Sequence, residues 1–178
     1  MFISEITKEI PEKFENEVEE LIFNKLKELK IDFERIDNDE ANTMESCVEL
    51  DKKLGAEIRK TVFACNRQKT QYYLVVLPAN KPFVTKDFSR AMECARVSFA
   101  SVEDLLDIIG VTPGSASVLC SIKDTEKKVQ VVIDKPITEE EYFSCNTGTS
   151  LRHIKIKTKD LLEVILPSID HEAKIVEL

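Results

Sequence analysis

No apolar run in this chain approaches the length needed to cross a bilayer, and Met1-Phe-Ile-Ser-Glu5 lacks the basic start and long apolar stretch of a signal peptide. A soluble, cytoplasmic protein with no membrane partner is expected. No C-x-x-C pair occurs. Cys47, Cys65, Cys94, Cys120 and Cys145 are spaced by 18, 29, 26 and 25 residues, which fits no common zinc pattern. They read as reduced thiols whose ordinary role is that of a small buried hydrophobe. Histidine is confined to His153 and His171, neither with a ligand partner at helical or strand spacing, so both are expected at the surface and no metal is expected. No G-x-S-x-G elbow supports a serine hydrolase, and the few glycines form neither a P-loop nor a dinucleotide fingerprint, so no cofactor is expected.

Basic charge is also scarce where it would matter for a polyanion. The net charge is −8, and residues 1–50 carry 15 acidic against 6 basic residues, leaving 18 against 19 in residues 51–178. A protein that wraps a long stretch of nucleic acid is normally basic overall, so extensive backbone binding, DNA included, is disfavoured. A short contact with one end of a nucleic acid stays open. Lys52, Lys53, Arg59, Lys60, Arg67 and Lys69 cluster in sequence, as do Arg152, Lys155, Lys157 and Lys159, although a solvated face explains either cluster.

What is present suits one globular domain, since 178 residues with 43% hydrophobic content can bury a single substantial core. Pro11 to Lys30 has helical spacing in Phe14, Val18, Leu21, Ile22, Leu26 and Leu29, and forms an acidic N-terminal extension packed on the rest. A short strand is expected over Ile31 to Ile36. Asn42 and Glu45 have capping-box spacing for a second helix that stops at Gly55. Further helices are expected over Lys86 to Ala95, over Val102 to Ile109 capped by Ser101, and over Lys159 to Leu166. Extended segments are expected at Arg96 to Phe99, Ser117 to Ser121, Lys128 to Asp134, Tyr142 to Cys145 and Leu151 to Lys157. Helices and strands alternate irregularly with short turns. The fold class is therefore α/β, a single domain with a central, curved, mixed β-sheet surrounded by helices.

Two stretches carry the chemistry. In Glu57-Ile-Arg-Lys-Thr-Val-Phe-Ala-Cys65 strand alternation puts Lys60 on the same face as Ile58, Val62 and Ala64, and Tyr72 to Leu77 returns as the second strand of a hairpin. If that face is core, Lys60 points into a cleft; the alternative is a strand-end lysine whose stem covers apolar surface. The loop Gly110-Val-Thr-Pro-Gly-Ser115 follows a helix C-cap at Gly110 and contains a type II turn at Pro113-Gly114. Its open backbone can approach a carboxyl, carbonyl or phosphate oxygen, or it is simply a turn.

Asn42-Thr-Met-Glu45, Arg59-Lys-Thr-Val-Phe63 with Cys65-Asn-Arg-Gln68, Lys81-Pro-Phe with Thr85-Lys-Asp87, Arg96-Val-Ser-Phe-Ala100, Gly110-Val-Thr-Pro-Gly-Ser115 and Glu141-Tyr-Phe143 together resemble the YbaK/ProX aminoacyl-tRNA deacylases. These are related to the editing domain of bacterial prolyl-tRNA synthetases, and the nearest branch is PrdX-like. The resemblance, from about Ile31 onward, implies an enzyme that hydrolyses the ester of a mischarged tRNA in trans, with alanine on proline tRNA as the family-based substrate. It implies as partners the 3′ aminoacyl-adenosine end of that tRNA and, transiently, a prolyl-tRNA synthetase.

On this resemblance Lys60 matches the family's central lysine, catalytic in the sense of holding the ester carbonyl or terminal phosphate against the charge that builds on attack. Thr43, Thr61, Gly110, Pro113, Gly114, Ser115, Asn146 and Gly148 are the implied substrate-binding residues. The resemblance also implies that the attacking water is activated by a ribose hydroxyl of the substrate. One departure stands out. Asn146 occupies the place of a histidine usual in the PrdX branch, and Thr61 follows the lysine where many relatives have asparagine. Asparagine cannot titrate near neutral pH. A non-catalytic binder of aminoacyl-tRNA or free amino acid, serving regulation, is therefore the alternative.

Overall fold

The two most apolar segments pair with each other. In the computed structural model, which describes residues 1–178, β2 (Lys60–Asn66) and β3 (Tyr72–Leu77) form the expected hairpin, with Lys60 opposite Leu77 and Cys65 opposite Tyr72. Asn66 holds the turn, its side-chain oxygen accepting from the N–H groups of Thr70 and Gln71. Around this hairpin β4 (Val97–Phe99), β5 (Val129–Asp134) and β8 (Lys174–Val176) complete a sheet of order β4-β2-β3-β5-β8, parallel at its β3-β5 and β5-β8 pairings. The remaining strands β1 (Glu34–Asp37), β6 (Tyr142–Asn146) and β7 (Arg152–Lys157) form an antiparallel sheet of order β1-β7-β6. A parallel bridge between Ile58 and Ser144, with the Arg59 N–H donating to the Ser144 carbonyl at 3.0 Å, links the two. The expected mixed sheet flanked by helices is present.

Alternation along the hairpin feeds two cores. Phe63, Cys65, Tyr72, Leu74 and Val76 face the larger one, shared with α1 (Glu17–Glu28) and α4 (Val102–Ile109). Val62, Ala64, Tyr73, Val75 and Leu77 face the smaller one, closed by Phe88 and Met92 of α3 (Thr85–Met92). Full burial of a side chain such as Phe88 contributes roughly 1.5–3 kcal/mol. A third cluster, Ile36, Cys47, Leu50, Leu54 and Ile58, packs α2 (Val48–Leu54) beside the seam. No helix is long and apolar enough to cross a membrane.

Several local expectations shift. Helix α1 starts at Glu17 rather than near Pro11, because the Asn16 side chain accepts from the Glu19 N–H and ends the preceding bends. The capping box before α2 lies one residue later than expected. The Thr43 N–H donates to Ser46 Oγ and the Ser46 N–H to Thr43 Oγ1, leaving Asn42 and Glu45 out of it. Ser117 to Ser121 is not a strand. Val118–Lys123 is a 3-10 helix whose residues Val118 to Ser121 are buried together, and the Ser121 hydroxyl bonds back to the Val118 carbonyl. The closing helix runs through residues 158–168 with a wide turn at Leu161–Ile165, so that Pro167, which has no N–H to give, sits inside its last turn. Neither histidine is at the surface: His153 and His171 are 1% and 6% exposed.

Candidate active site

A cavity of about 240 Å³ opens at the seam between the sheets. The segment entering β2 and its first two residues bring Ile58 to Thr61, the end of β6 brings Asn146, and the start of β7 brings His153. The loop before α2 brings Ala41 to Met44, and the glycine loop brings Gly114 and Ala116. Of the expected site residues, Lys60, Thr43, Thr61, Gly114 and Asn146 meet here. Gly110, Pro113, Ser115 and Gly148 instead line a neighbouring cleft of about 620 Å³, which shares only Asn42 with the first.

Lys60 is half-buried and donates from Nζ to the Lys81 carbonyl at 2.7 Å. That bond engages one of three N–H groups and neutralises no charge, since a carbonyl is not an anion. No carboxylate lines the cavity, and Lys60 has no ion-pair partner. The rest of the basic cluster is largely spent. Arg59 is buried between Glu57 and Glu140, Lys52 pairs with Glu49, Lys53 with Glu5 and Lys69 with Asp104. In the second cluster Arg152 meets Glu19 and Asp37, and Lys155 meets Glu34. Lys60 is therefore the uncompensated cation of the cavity.

The glycine turn forms as expected. The Ser115 N–H donates to the Thr112 carbonyl at 3.0 Å, and Gly114 has φ +85° at the third position of the turn. A Cβ there would lie 3.0 Å from Asn42 Oδ1, so glycine is required both by backbone conformation and by the close approach of the Asn42 loop. Asn146 fastens this turn region to β6: its Nδ2 donates to the Ala116 carbonyl, and its Oδ1 accepts from the Gly148 N–H.

Proton chemistry at neutral pH is not built into the lining. Burial, reinforced by Asp51, pushes the Cys47 thiol up to about 11, which leaves little thiolate nucleophile. Burial pushes His153 down to about 4 and holds its ring neutral. His153 was missed as a site residue because alternation set it opposite Ile154 and Ile156. Both faces of β7 are covered, since His153 is buried on one as Ile154 and Ile156 are on the other. A signal existed in the spacing: the short β6–β7 connection puts His153 directly opposite Asn146.

Residues 38–164 match the aminoacyl-tRNA editing domain family. The chain belongs to that family. This editing domain is 25% identical over 149 residues to the prolyl-tRNA editing protein ProX of Acetoanaerobium sticklandii, covering 84% of this chain and 91% of that one. It is 26% identical over 142 residues to prolyl-tRNA synthetase associated domain-containing protein 1 of Danio rerio, covering 79% and 77%. In fold it resembles the crystal structure of a hypothetical protein, APE2540, with TM-score 0.68 at 15% identity over 88% of this chain and 98% of the other. A proposed trans-editing enzyme for prolyl tRNA synthetase matches with TM-score 0.67 at 12% identity over 92% and 98%.

Proposed function

We propose that this editing domain acts in trans as an aminoacyl-tRNA deacylase, hydrolysing the ester that joins a wrong amino acid, alanine in the first instance, to the terminal adenosine of proline tRNA. The observation that carries the reading is the uncompensated Lys60 ammonium in a small cavity without a carboxylate. Such a cation favours an oxygen that gains negative charge, as the ester carbonyl does when water attacks. Membership of the editing family and the likeness to ProX support the substrate class. Gly114 lets the backbone lie close to the aminoacyl group, while Thr43 and Thr61 offer hydroxyls that serve as donor or acceptor. Gly110, Pro113, Ser115 and Gly148 line the neighbouring cleft, where they would meet the flank of the bound end rather than the ester.

With Cys47 protonated, His153 too weak a base at about 4 and no carboxylate in the lining, the attacking water's proton passes to the substrate's own ribose hydroxyl, which hands its own proton to the departing ribose oxygen. The same absence favours a second reading, a non-catalytic binder of charged tRNA ends or free amino acids that serves regulation. Release of labelled amino acid from a panel of correctly and incorrectly charged tRNAs separates the two. Turnover on mischarged proline tRNA supports the deacylase, whereas binding without release supports the regulator. A prolyl-tRNA synthetase is the partner this reading expects, through a transient contact.

A further inference from the structure

We infer that His153 is the cavity's fixed hydrogen-bond acceptor and receives, through Nε2, an O–H of the terminal ribose or of the attacking water. The inference rests on the deacylase reading and adds to it a residue and a contact.

His153 on β7 stands directly opposite Asn146 on β6, and cross-strand partners share one face of a sheet. Both line the cavity. The protonated nitrogen follows from its neighbour. Asn38 donates from Nδ2 to the Ser150 carbonyl at 2.9 Å and to the Asp39 carbonyl at 2.7 Å, so its oxygen is the atom that faces the imidazole. That oxygen lies 2.9 Å from His153 Nδ1 and can only accept, which puts the ring hydrogen on Nδ1. In a neutral ring Nε2 is then a bare lone pair, and no protein group donates to it.

The other polar side chains of the cavity differ: Thr43 Oγ1 is engaged with Ser46, and the Thr61 hydroxyl rotates between donor and acceptor. Lys60 only donates, and the Asn146 amide already bonds Ala116 and Gly148 at its two ends. A carbonyl or phosphate oxygen would meet Nε2 lone pair to lone pair, so such an oxygen belongs at Lys60. A hydroxyl fits Nε2. The aminoacyl-adenosine end carries one beside the ester, and hydrolysis brings another as water.

The test uses two variants and native protein. His153→Asn keeps an amide nitrogen near the Nδ1 position, and with it the bond to Asn38, but removes the acceptor; His153→Gln reaches the Nε2 position. His153→Asn should lower kcat roughly tenfold or more with KM little changed, the scale of one hydrogen bond strengthened in the transition state, and His153→Gln should recover part of the loss. On proline tRNA ending in 2′-deoxyadenosine, which native protein should cleave slowly for want of the proton-relaying hydroxyl, the residual rates of His153→Asn and native protein are compared: equal, measurable rates assign the contact to the ribose hydroxyl, and an undiminished loss assigns it to water; both support the inference. Native kcat in His153→Asn overturns it while leaving the deacylase reading intact. No turnover by native protein on any mischarged tRNA overturns both. Independently of turnover, nitrogen NMR of the free protein at pH 7 should find the ring hydrogen on Nδ1, and a hydrogen on Nε2 overturns the inference.

Discussion

Glu19 Oε2 lies 2.7 Å from Arg152 Nη1, joining α1 to β7 with both side chains almost wholly buried. Glu19 also accepts from the Thr147 hydroxyl and the Glu15 N–H, while Asn16 donates to the Gly148 carbonyl. The N-terminal helix thus grips the segment that follows Asn146. Removing Glu19 leaves Arg152 with Asp37 as its remaining carboxylate and the Thr147 hydroxyl without its acceptor, so Glu19→Ala should cost about 1–3 kcal/mol in urea unfolding. Replacing both, as Glu19→Leu with Arg152→Met, should cost less than the sum of the two single changes. A surface-like loss of a few tenths of a kcal/mol for Glu19→Ala would contradict the role given to the pair.

The contribution of His153 to stability should rise with pH across the range in which the group differs between the folded and unfolded chain, against an opposite contribution from Asp51, which burial raises to about 6. Burial lowers His153 from 6.5 to about 4, so between those values the unfolded chain binds the extra proton and is favoured by acid. The contribution is fully present above pH 6.5 and lost as pH falls toward 4, on the order of 3 kcal/mol in all. Urea unfolding at several pH values, native beside His153→Asn, should give a shallower slope for the variant in this window. Equal slopes would contradict the buried neutral ring.

Gly114→Ala should destabilise by about 1–2 kcal/mol, because alanine is strained at φ +85° and its Cβ presses on Asn42. It should also raise KM, since Asn42 and Gly114 line the cavity together. A thermal melt and steady-state kinetics check both parts. An unchanged melting temperature would mean that the turn relaxes freely.

Elements punctuated by strong local chemistry were legible before the structure. Ser101 caps α4 through the Asp104 N–H and Gly110 ends it in the left-handed conformation, both as the sequence predicts. The hairpin followed from its β-branched and aromatic runs, and the Pro113-Gly114 turn from residue type. Elements decided by tertiary context were not. Ser117 to Ser121 reads as extended, yet burial on every side and a serine back-bond wind it into a 3-10 turn. Strand β8 comprises three residues, of which Lys174 and Ile175 are exposed, and pairs only with β5, so no periodicity announces it. The place of Lys60 beside a cavity was legible as one of two readings, because a lone charge broke the apolar pattern of its face. The separation of Gly110, Pro113, Ser115 and Gly148 into a neighbouring cleft was not, since a loop's sequence does not say which wall each residue faces.

The central claim is that the unpaired Lys60 ammonium stabilises charge developing on the ester. The measurement that tests it most directly is the rate of alanine release from mischarged proline tRNA by native protein and by Lys60→Ala, with both melting curves recorded. Only a carbonyl acceptor is lost to Lys60 in the free protein, so the variant should melt within a few degrees of the native chain. Its kcat should fall by about a hundredfold or more. Release by a folded Lys60→Ala at the native rate would contradict the account.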